Sequence, residues 1–384
     1  MQTPARIWRH FDVWLLATVA VLTIAGVAMI RSAIGGNENL LELVPRQAIY
    51  AGIGLLVILL TASIDYRVWS SLSRSFYVGS LILLLAILGA GFVGFGSARW
   101  FNVGIVLIQP SELSKIIMIL VLADYFARHQ YEIADFSVLL RSLLLAGIPI
   151  ILIFLQPDLS TAIVVAVTWL ALAFAAGCRV RHLLVLAGIA LLVTLAAAPF
   201  VANYFITSYP QGGDFLFLKN YQMARIANFL LPDPNAHHGA SYNVNQALIS
   251  IGSGGLFGQG YGHGTQVQLR FLKVRHTDFI FSALSEEFGF VGAAVFLALL
   301  MFVILRCLRS ARMARDSYGA LICYGVSILL LFQAAFNVGM NMNLLPVSGL
   351  PLPFFSYGGS SLVASLLGIG LVESVILRHK RIEL

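Results

Sequence analysis

Three carboxylates in this chain stand where carboxylates are rare, at the head of long apolar runs: Asp278 in Arg275-His276-Thr277-Asp278-Phe279, Glu112 in Gln109-Pro110-Ser111-Glu112-Leu113-Ser114-Lys115, and Asp158 in Gln156-Pro157-Asp158. A carboxylate at a helix start has a structural use, capping free N–H groups and complementing the helix dipole. It also has a chemical one, because a carboxylate within reach of a hydroxyl can take its proton as a general base. Ser282, Ser285 and Glu286 follow Asp278 at spacings that share one helical face, which predicts a polar stripe entering the apolar run. Ionisable groups inside a membrane span are expensive and mostly functional. Glu112 and Lys115, three residues apart, read either as an ordinary intrahelical ion pair or as a site-shaping pair whose members offset each other's desolvation.

Cations supply the complementary chemistry. Lys219, Arg225, Arg270, Lys273 and Arg275 lie together in one long connection and invite an anionic ligand. The same connection holds Gly252-Ser253-Gly254-Gly255, then Gly258, Gly260, Gly262 and Gly264, which lack the Gly-Lys-Ser/Thr ending of a nucleotide loop and read as turns resting on the membrane. His237 and His238 are adjacent, so they cannot share a helical face as a metal pair and read as a solvated turn. Between Leu345 and Ser360, three prolines forbid a continuous helix and predict a rigid hairpin buried in protein at membrane depth.

The elements that must position these groups follow from composition. Of the 384 residues, 59% are hydrophobic and 11% charged, less than half the charge of an ordinary soluble chain, and the mean hydropathy is +0.89. Apolar runs fall at about 12–32, 47–64, 75–96, 112–127, 137–156, 159–177, 182–204, 279–307, 318–343 and 357–377. They are too continuous for barrel strands and long enough for helical spans. The expected fold is an all-α integral membrane protein of about ten transmembrane helices, a single domain over 1–384 with one large extracytoplasmic loop at about 206–278 between spans seven and eight. An even number of spans places both termini on one side. Assigning them to the cytoplasm puts most Arg residues, from Arg67 and Arg128 to Arg306 and Arg378, on that face, as the positive-inside rule requires. The net charge of +7 is then mostly topology and gives no reason to expect nucleic acid. Cys178, Cys307 and Cys323 fall in or beside apolar runs and offer no disulfide framework.

Taken together the motifs resemble the SEDS family of polytopic cell-wall glycosyltransferases, the shape, elongation, division and sporulation proteins of bacteria. The resemblance rests on Gln109-Pro110-Ser111-Glu112 with Lys115, Gln156-Pro157-Asp158-Leu159, Tyr221-Gln222 with Arg225, Ile251 to Leu256, His276-Thr277-Asp278-Phe279 before Glu286-Glu287, and Pro351-Leu352-Pro353 before Ser356-Tyr357-Gly358-Gly359. Gly264-Thr265-Gln266, Arg275 and Leu345-Pro346-Val347 are similar to the elongation branch more than to the division branch. Ser160 departs from the pattern where glycine usually stands, as do Met223, Ala224 and Val274.

The resemblance implies polymerisation of lipid II into β-1,4 glycan on the outer face of the bacterial cytoplasmic membrane, with loss of polyprenyl pyrophosphate. An α-linked donor and a β product need one inversion, so a single base suffices. Asp278 takes that role, Lys115, Arg225, Arg275 and Lys273 are candidates to contact phosphates, and Glu112 organises Lys115 or helps ligate a divalent cation such as Mg or Mn. Implied partners are lipid II, the growing lipid-linked glycan, a class B penicillin-binding protein transpeptidase and other elongation-complex membrane proteins. The residues by themselves fit an enzyme and a transporter of the same lipid equally; a non-catalytic scaffold is a third reading, and the division branch an alternative within the family.

Overall fold

The computed structural model describes residues 10–35, 40–90, 92–94, 97–102, 107–207, 223, 225, 227–229 and 239–379. The apolar runs become helices whose starts are set by short polar residues. In α1 (Val13–Ile34) Asp12 accepts from the Leu15 amide at 3.1 Å, and in α7 (Leu159–Ala175) Asp158 accepts from Thr161 at 3.3 Å. Asp316 accepts from Gly319 at 2.8 Å to open α12 (Ser317–Asn341). The other helices are α2 (Leu43–Ser63), the short α3 (Tyr66–Ser71), α4 (Ser73–Ala90), α5 (Pro110–Arg128), α6 (Phe136–Leu155), α8 (Val180–Thr207), α9 (Gly239–Ser253), the short α10 (Thr265–Gln268), α11 (Ile280–Met313) and α13 (Gly359–Leu377). Omitting α3, α9 and α10, the long helices match the ten apolar runs. Seven are long and apolar enough to cross a membrane, with α4 and α7 shorter apolar helices. The tenth, α5, is diluted by Glu112, Lys115, Asp124 and Arg128. The architecture is that of a multi-pass membrane protein.

The two described ends meet on one face. Asp12 pairs with Arg306 at 2.5 Å and donates its backbone N–H to Glu373 at 3.1 Å, while the rings of His10 and His379 lie 5.1 Å apart. Since Arg306 is near the end of α11, the start of that helix, with Asp278 beside it, lies at the opposite face. Helix α13 is the most enclosed, 78% of its apolar window being buried, whereas none of the corresponding window of α8 is. Hydrophobic on all sides, α8 has lipid as its solvent.

Two expectations change. The third apolar run does not stay helical to residue 96: α4 stops at Ala90, and β1 (Phe92–Gly94), β2 (Ser97–Asn102) and β3 (Leu107–Ile108) form a small antiparallel sheet with Phe92 opposite Trp100 and Phe101 opposite Ile108. Glycines at 89, 91, 94 and 96 weaken a helix there, while the intervening aromatic and β-branched residues suit strands.

The second change is in α11, which breaks at Gly289 (φ 65°, ψ −166°). The break frees carbonyls and amides that hydrocarbon cannot satisfy. The glycine-rich connection takes them up: Gln259 N–H donates to Glu286 O at 3.0 Å and Gly260 N–H to Glu287 O at 2.9 Å, while Phe290 and Val291 donate to Gly255 O and Leu256 O at 2.9 and 3.0 Å. The connection is thus part of the helix. Gln266 N–H and the Thr265 hydroxyl hold Glu286 at 2.8 and 3.2 Å, and Ser32 donates to Glu287. A methyl group at Gly258 (φ 82°) would lie 2.2 Å from Glu287 O, whereas one at Gly252 meets open space. Gly258→Ala is expected to lower stability by at least about 2 kcal/mol and Gly252→Ala to leave it unchanged, read as thermal unfolding of the detergent-solubilised protein.

Candidate active site

Asp278 does not cap α11: the cap position is Phe279, without a side-chain cap bond. The residue sits instead in a short non-helical stretch whose three consecutive carbonyls are all held. Tyr357 N–H donates to His276 O at 2.9 Å and the Ser356 hydroxyl to Thr277 O at 2.7 Å. The Asp278 carbonyl accepts from two side-chain amides of α12, Asn337 at 3.1 Å and Asn341 at 3.0 Å. Burial pushes the Asp278 carboxyl up to about 6, against the opposing pull of the Arg225 guanidinium and the Thr277 hydroxyl.

Arg225 reaches this place through the proline-punctuated hairpin. Its Nη1 donates to Ser348 O at 2.7 Å, and the Ser160 hydroxyl donates to the same carbonyl at 2.6 Å. The next residue, Gly349 (φ 80°), lies where a methyl group would be 3.7 Å from Asp278 Oδ2 and 3.8 Å from Arg225 Nη2. A methyl group at those distances would make ordinary contacts, so it is the positive φ and not the space that favours glycine here. Behind Ser160, Asp158 caps α7 and also accepts from Gln109 Nε2 at 3.1 Å and Ser111 Oγ at 3.2 Å, joining the start of α5 to the start of α7. One turn into α5, Lys115 and Glu112 form a 2.7 Å ion pair, both almost fully buried. Beside Arg225 a small pocket has Asn228, Ser241, Asn245 and Asn343 as its polar lining and Phe229, Leu345 and Val347 among its apolar lining.

The expected site residues therefore separate. Asp278 and Arg225 come together, and the segment carrying Glu112 and Lys115 is tied to them through Asp158, Ser160 and Ser348. Arg275 is not with them. It is buried, and its guanidinium donates to Ala33 O, at the end of α1, and to Leu272 O at 3.2 Å. Unsatisfied carbonyls at a helix end attract a cation as a phosphate does, so Arg275 ties the loop to α1. Lys273 is exposed, without a described contact to the pair. Lys219, His237 and His238, with Tyr221 and Gln222, lie outside the described residues.

The polar stripe is also not continuous. Ser282 bonds to Asn341 Oδ1 at 2.6 Å, Ser285 back to Phe281 O of its own helix at 2.8 Å and Glu286 to the loop, so each group is satisfied separately. Asn337 and Asn341 carry no charge and stand in no motif of the sequence, their one signal being two amides four residues apart within an apolar run, whereas Ser356 belongs to the Ser356-Tyr357-Gly358-Gly359 motif without a role read from it. Among the described residues no three His, Cys, Asp or Glu side chains gather as metal ligands. Glu112, the carboxylate expected to help hold a cation, is committed to Lys115, so these residues do not build a metal cage.

A model of the cell cycle protein family that groups FtsW, RodA and SpoVE matches residues 8–381. The chain belongs to this family. The peptidoglycan glycosyltransferase MrdB of Escherichia coli K12 is 35% identical to it, over 97% of this chain and 95% of that one. The structure of the Thermus thermophilus rod shape determining protein RodA is 30% identical, covers 96% and 97% of the two chains and superposes with a TM-score of 0.67. A chain from a peptidoglycan synthase complex that coordinates polymerization and crosslinking reaches 0.79 at 31% identity, covering 96% and 98%.

In this family member the buried ion pair of α5 gives a direct test. Glu112→Gln or Lys115→Met alone leaves one uncompensated buried charge and is expected to destabilise by about 3–5 kcal/mol. The double variant is expected to recover most of that loss, measured as a double-mutant cycle in thermal unfolding.

Proposed function

We propose that the chain is a peptidoglycan glycosyltransferase that polymerises lipid II, with Asp278 as the general base. The observation that carries this reading is the Asp278 carboxyl at the face opposite the termini, its backbone fixed on both sides and its carboxyl pushed up to about 6 beside Arg225. A base in that range is a better proton acceptor than a surface aspartate and is still mostly ionised at neutral pH. It takes the acceptor hydroxyl's proton as oxygen attacks the anomeric carbon of the donor, and the pyrophosphate leaves from the opposite side, so configuration inverts once. Arg225, and Lys115 once substrate competes with Glu112, supply positive charge for the departing pyrophosphate. A Mg or Mn ion, where the reaction uses one, would supply further positive charge for the departing pyrophosphate.

The same reading places the site outside the cell and both termini in the cytoplasm. Its support is that the face of the termini holds Arg67, Arg128, Arg306 and Arg378, each paired with an aspartate. A transpeptidase partner, a class B penicillin-binding protein, is supported by the likeness to a chain taken from a complex of polymerisation and crosslinking. The elongation role, with its own membrane partners, is supported by Leu345-Pro346-Val347 and Gly264-Thr265-Gln266. The transporter reading is weaker because the polar groups of the stripe are each satisfied by a separate protein partner.

Asp278→Asn is expected to lower polymerisation of labelled lipid II by about 10³-fold. Because burial raises the carboxyl's folded-state value, ionisation removes stability as pH rises from about 4 through about 6. The asparagine variant should therefore fold at least as well as the parent at neutral pH. Polymerisation at the normal rate, or lipid II movement in sealed vesicles without polymer, would overturn the assignment. The active form is the carboxylate, so the parent's rate should fall as pH drops through about 6, roughly tenfold per unit below it. Arg225→Ala removes a charge that holds the carboxyl down and should move that limb to higher pH.

A further inference from the structure

Two amides on one carbonyl are more than a loop needs. The Asp278 carbonyl receives Asn337 at 3.1 Å and Asn341 at 3.0 Å, and both asparagines are fully buried. A carbonyl oxygen has two lone pairs, and here both are taken by side chains of one helix. Each amide also reaches further. Asn337 Nδ2 lies 2.8 Å from Leu350 O, in the hairpin whose Ser348 carbonyl holds Arg225 and whose Gly349 lies beside both charged groups. Asn341 Oδ1 accepts the Ser282 N–H at 3.2 Å and its hydroxyl at 2.6 Å, fixing the first turn of α11, and its Nδ2 donates to Asn337 O at 2.8 Å.

We infer that Asn337 and Asn341 are positioning residues for the transfer reaction, setting from α12 the place of the Asp278 backbone and its spacing from Arg225. The inference rests on the reading of Asp278 as the base. Geometry makes the role specific. Asp278 precedes the first residue of α11, so no helical hydrogen bond of its own holds its carbonyl, and the side chain is left with two torsions. With the His276 and Thr277 carbonyls held by the hairpin and the Asp278 carbonyl by α12, the carboxyl moves only with the whole assembly. Asn337 bridges its two halves, the base on one side and the carrier of Arg225 on the other. A stabilising contact could be made by any buried pair; these amides bear on the residue that reacts.

The test uses the full-length protein in liposomes with lipid II. Asn337→Ser and Asn341→Ser each leave the other amide on the carbonyl. Each is expected to lower kcat by about 10- to 100-fold with KM for lipid II changed by less than about twofold. Asn337→Gln, which keeps a carboxamide, should retain more of kcat than Asn337→Ser. Ser285→Ala, whose hydroxyl meets only Phe281 O, should leave both parameters unchanged. The groups acting on the Asp278 carboxyl are the Arg225 guanidinium and the Thr277 hydroxyl, and the asparagines are neutral. A looser hairpin therefore shifts the acidic limb of the rate profile upward. If a serine variant does not fold, Ser282→Ala carries the test: it removes the shorter of the two bonds to Asn341 Oδ1, leaving only the backbone N–H, and should give the same KM-neutral fall, about threefold. A kcat within twofold of the parent in folded serine variants, or an unchanged kcat in Ser282→Ala, overturns the inference. An active Asp278→Asn sinks the assignment of the base itself. An inactive Asp278→Asn with normal asparagine variants sinks only the clamp.

Discussion

Hydrocarbon offers a backbone amide no partner, and that constraint decides where this chain is allowed to leave the helix. It leaves it at Gly289 inside α11, where four backbone bonds from the glycine-rich connection replace the two ladder bonds that the break removes. It leaves it again at residues 276–278, where each carbonyl is bound by a neighbouring element. In both irregular stretches the polar backbone groups are paired within the protein. The second holds the only carboxylate the mechanism requires, so the site is built where packing has made non-helical backbone tolerable.

Charge follows the same logic. Glu112 is matched to Lys115 on α5 and Asp12 to Arg306 at the opposite face. Asp278 is different, because the cation nearest to it is itself drawn to the Ser348 carbonyl. The carboxyl is therefore neither fully neutralised by a salt bridge nor left to water, and it settles between the ordinary carboxylate range and neutrality. Three elements distant in sequence, α7 through Ser160, the hairpin through Ser348 and α12 through its asparagines, converge on that balance.

What was legible in the sequence is what stands out against an apolar background. Ten long runs announce ten helices, and Asp278, Glu112 and Lys115 are conspicuous because charge is scarce. Arg275 was misplaced because a cation in an outer loop looks the same whether it faces a phosphate or the carbonyls that end α1. The polar stripe was misread because its spacing assumed one helix from residue 278 onward, whereas α11 starts at Ile280 and leaves Asp278 outside it. Asn337 and Asn341 went unmarked because a neutral amide disturbs hydropathy little and reveals its purpose only when the carbonyl it meets is known. The small sheet after α4 was hidden because its Phe and Val residues extend the hydropathy of the run before them, although the glycines between them weaken a helix.

The way α11 is completed bears on how the protein is made. Residues 255–260, which supply the bonds at the break, precede the helix in the chain and leave the ribosome before it. When Glu286 to Val291 arrive at the bilayer, their partners have already been synthesised and need only be close at hand. Ser32, which meets Glu287, is older still. The order of synthesis thus puts every partner of the break into the chain before the break itself.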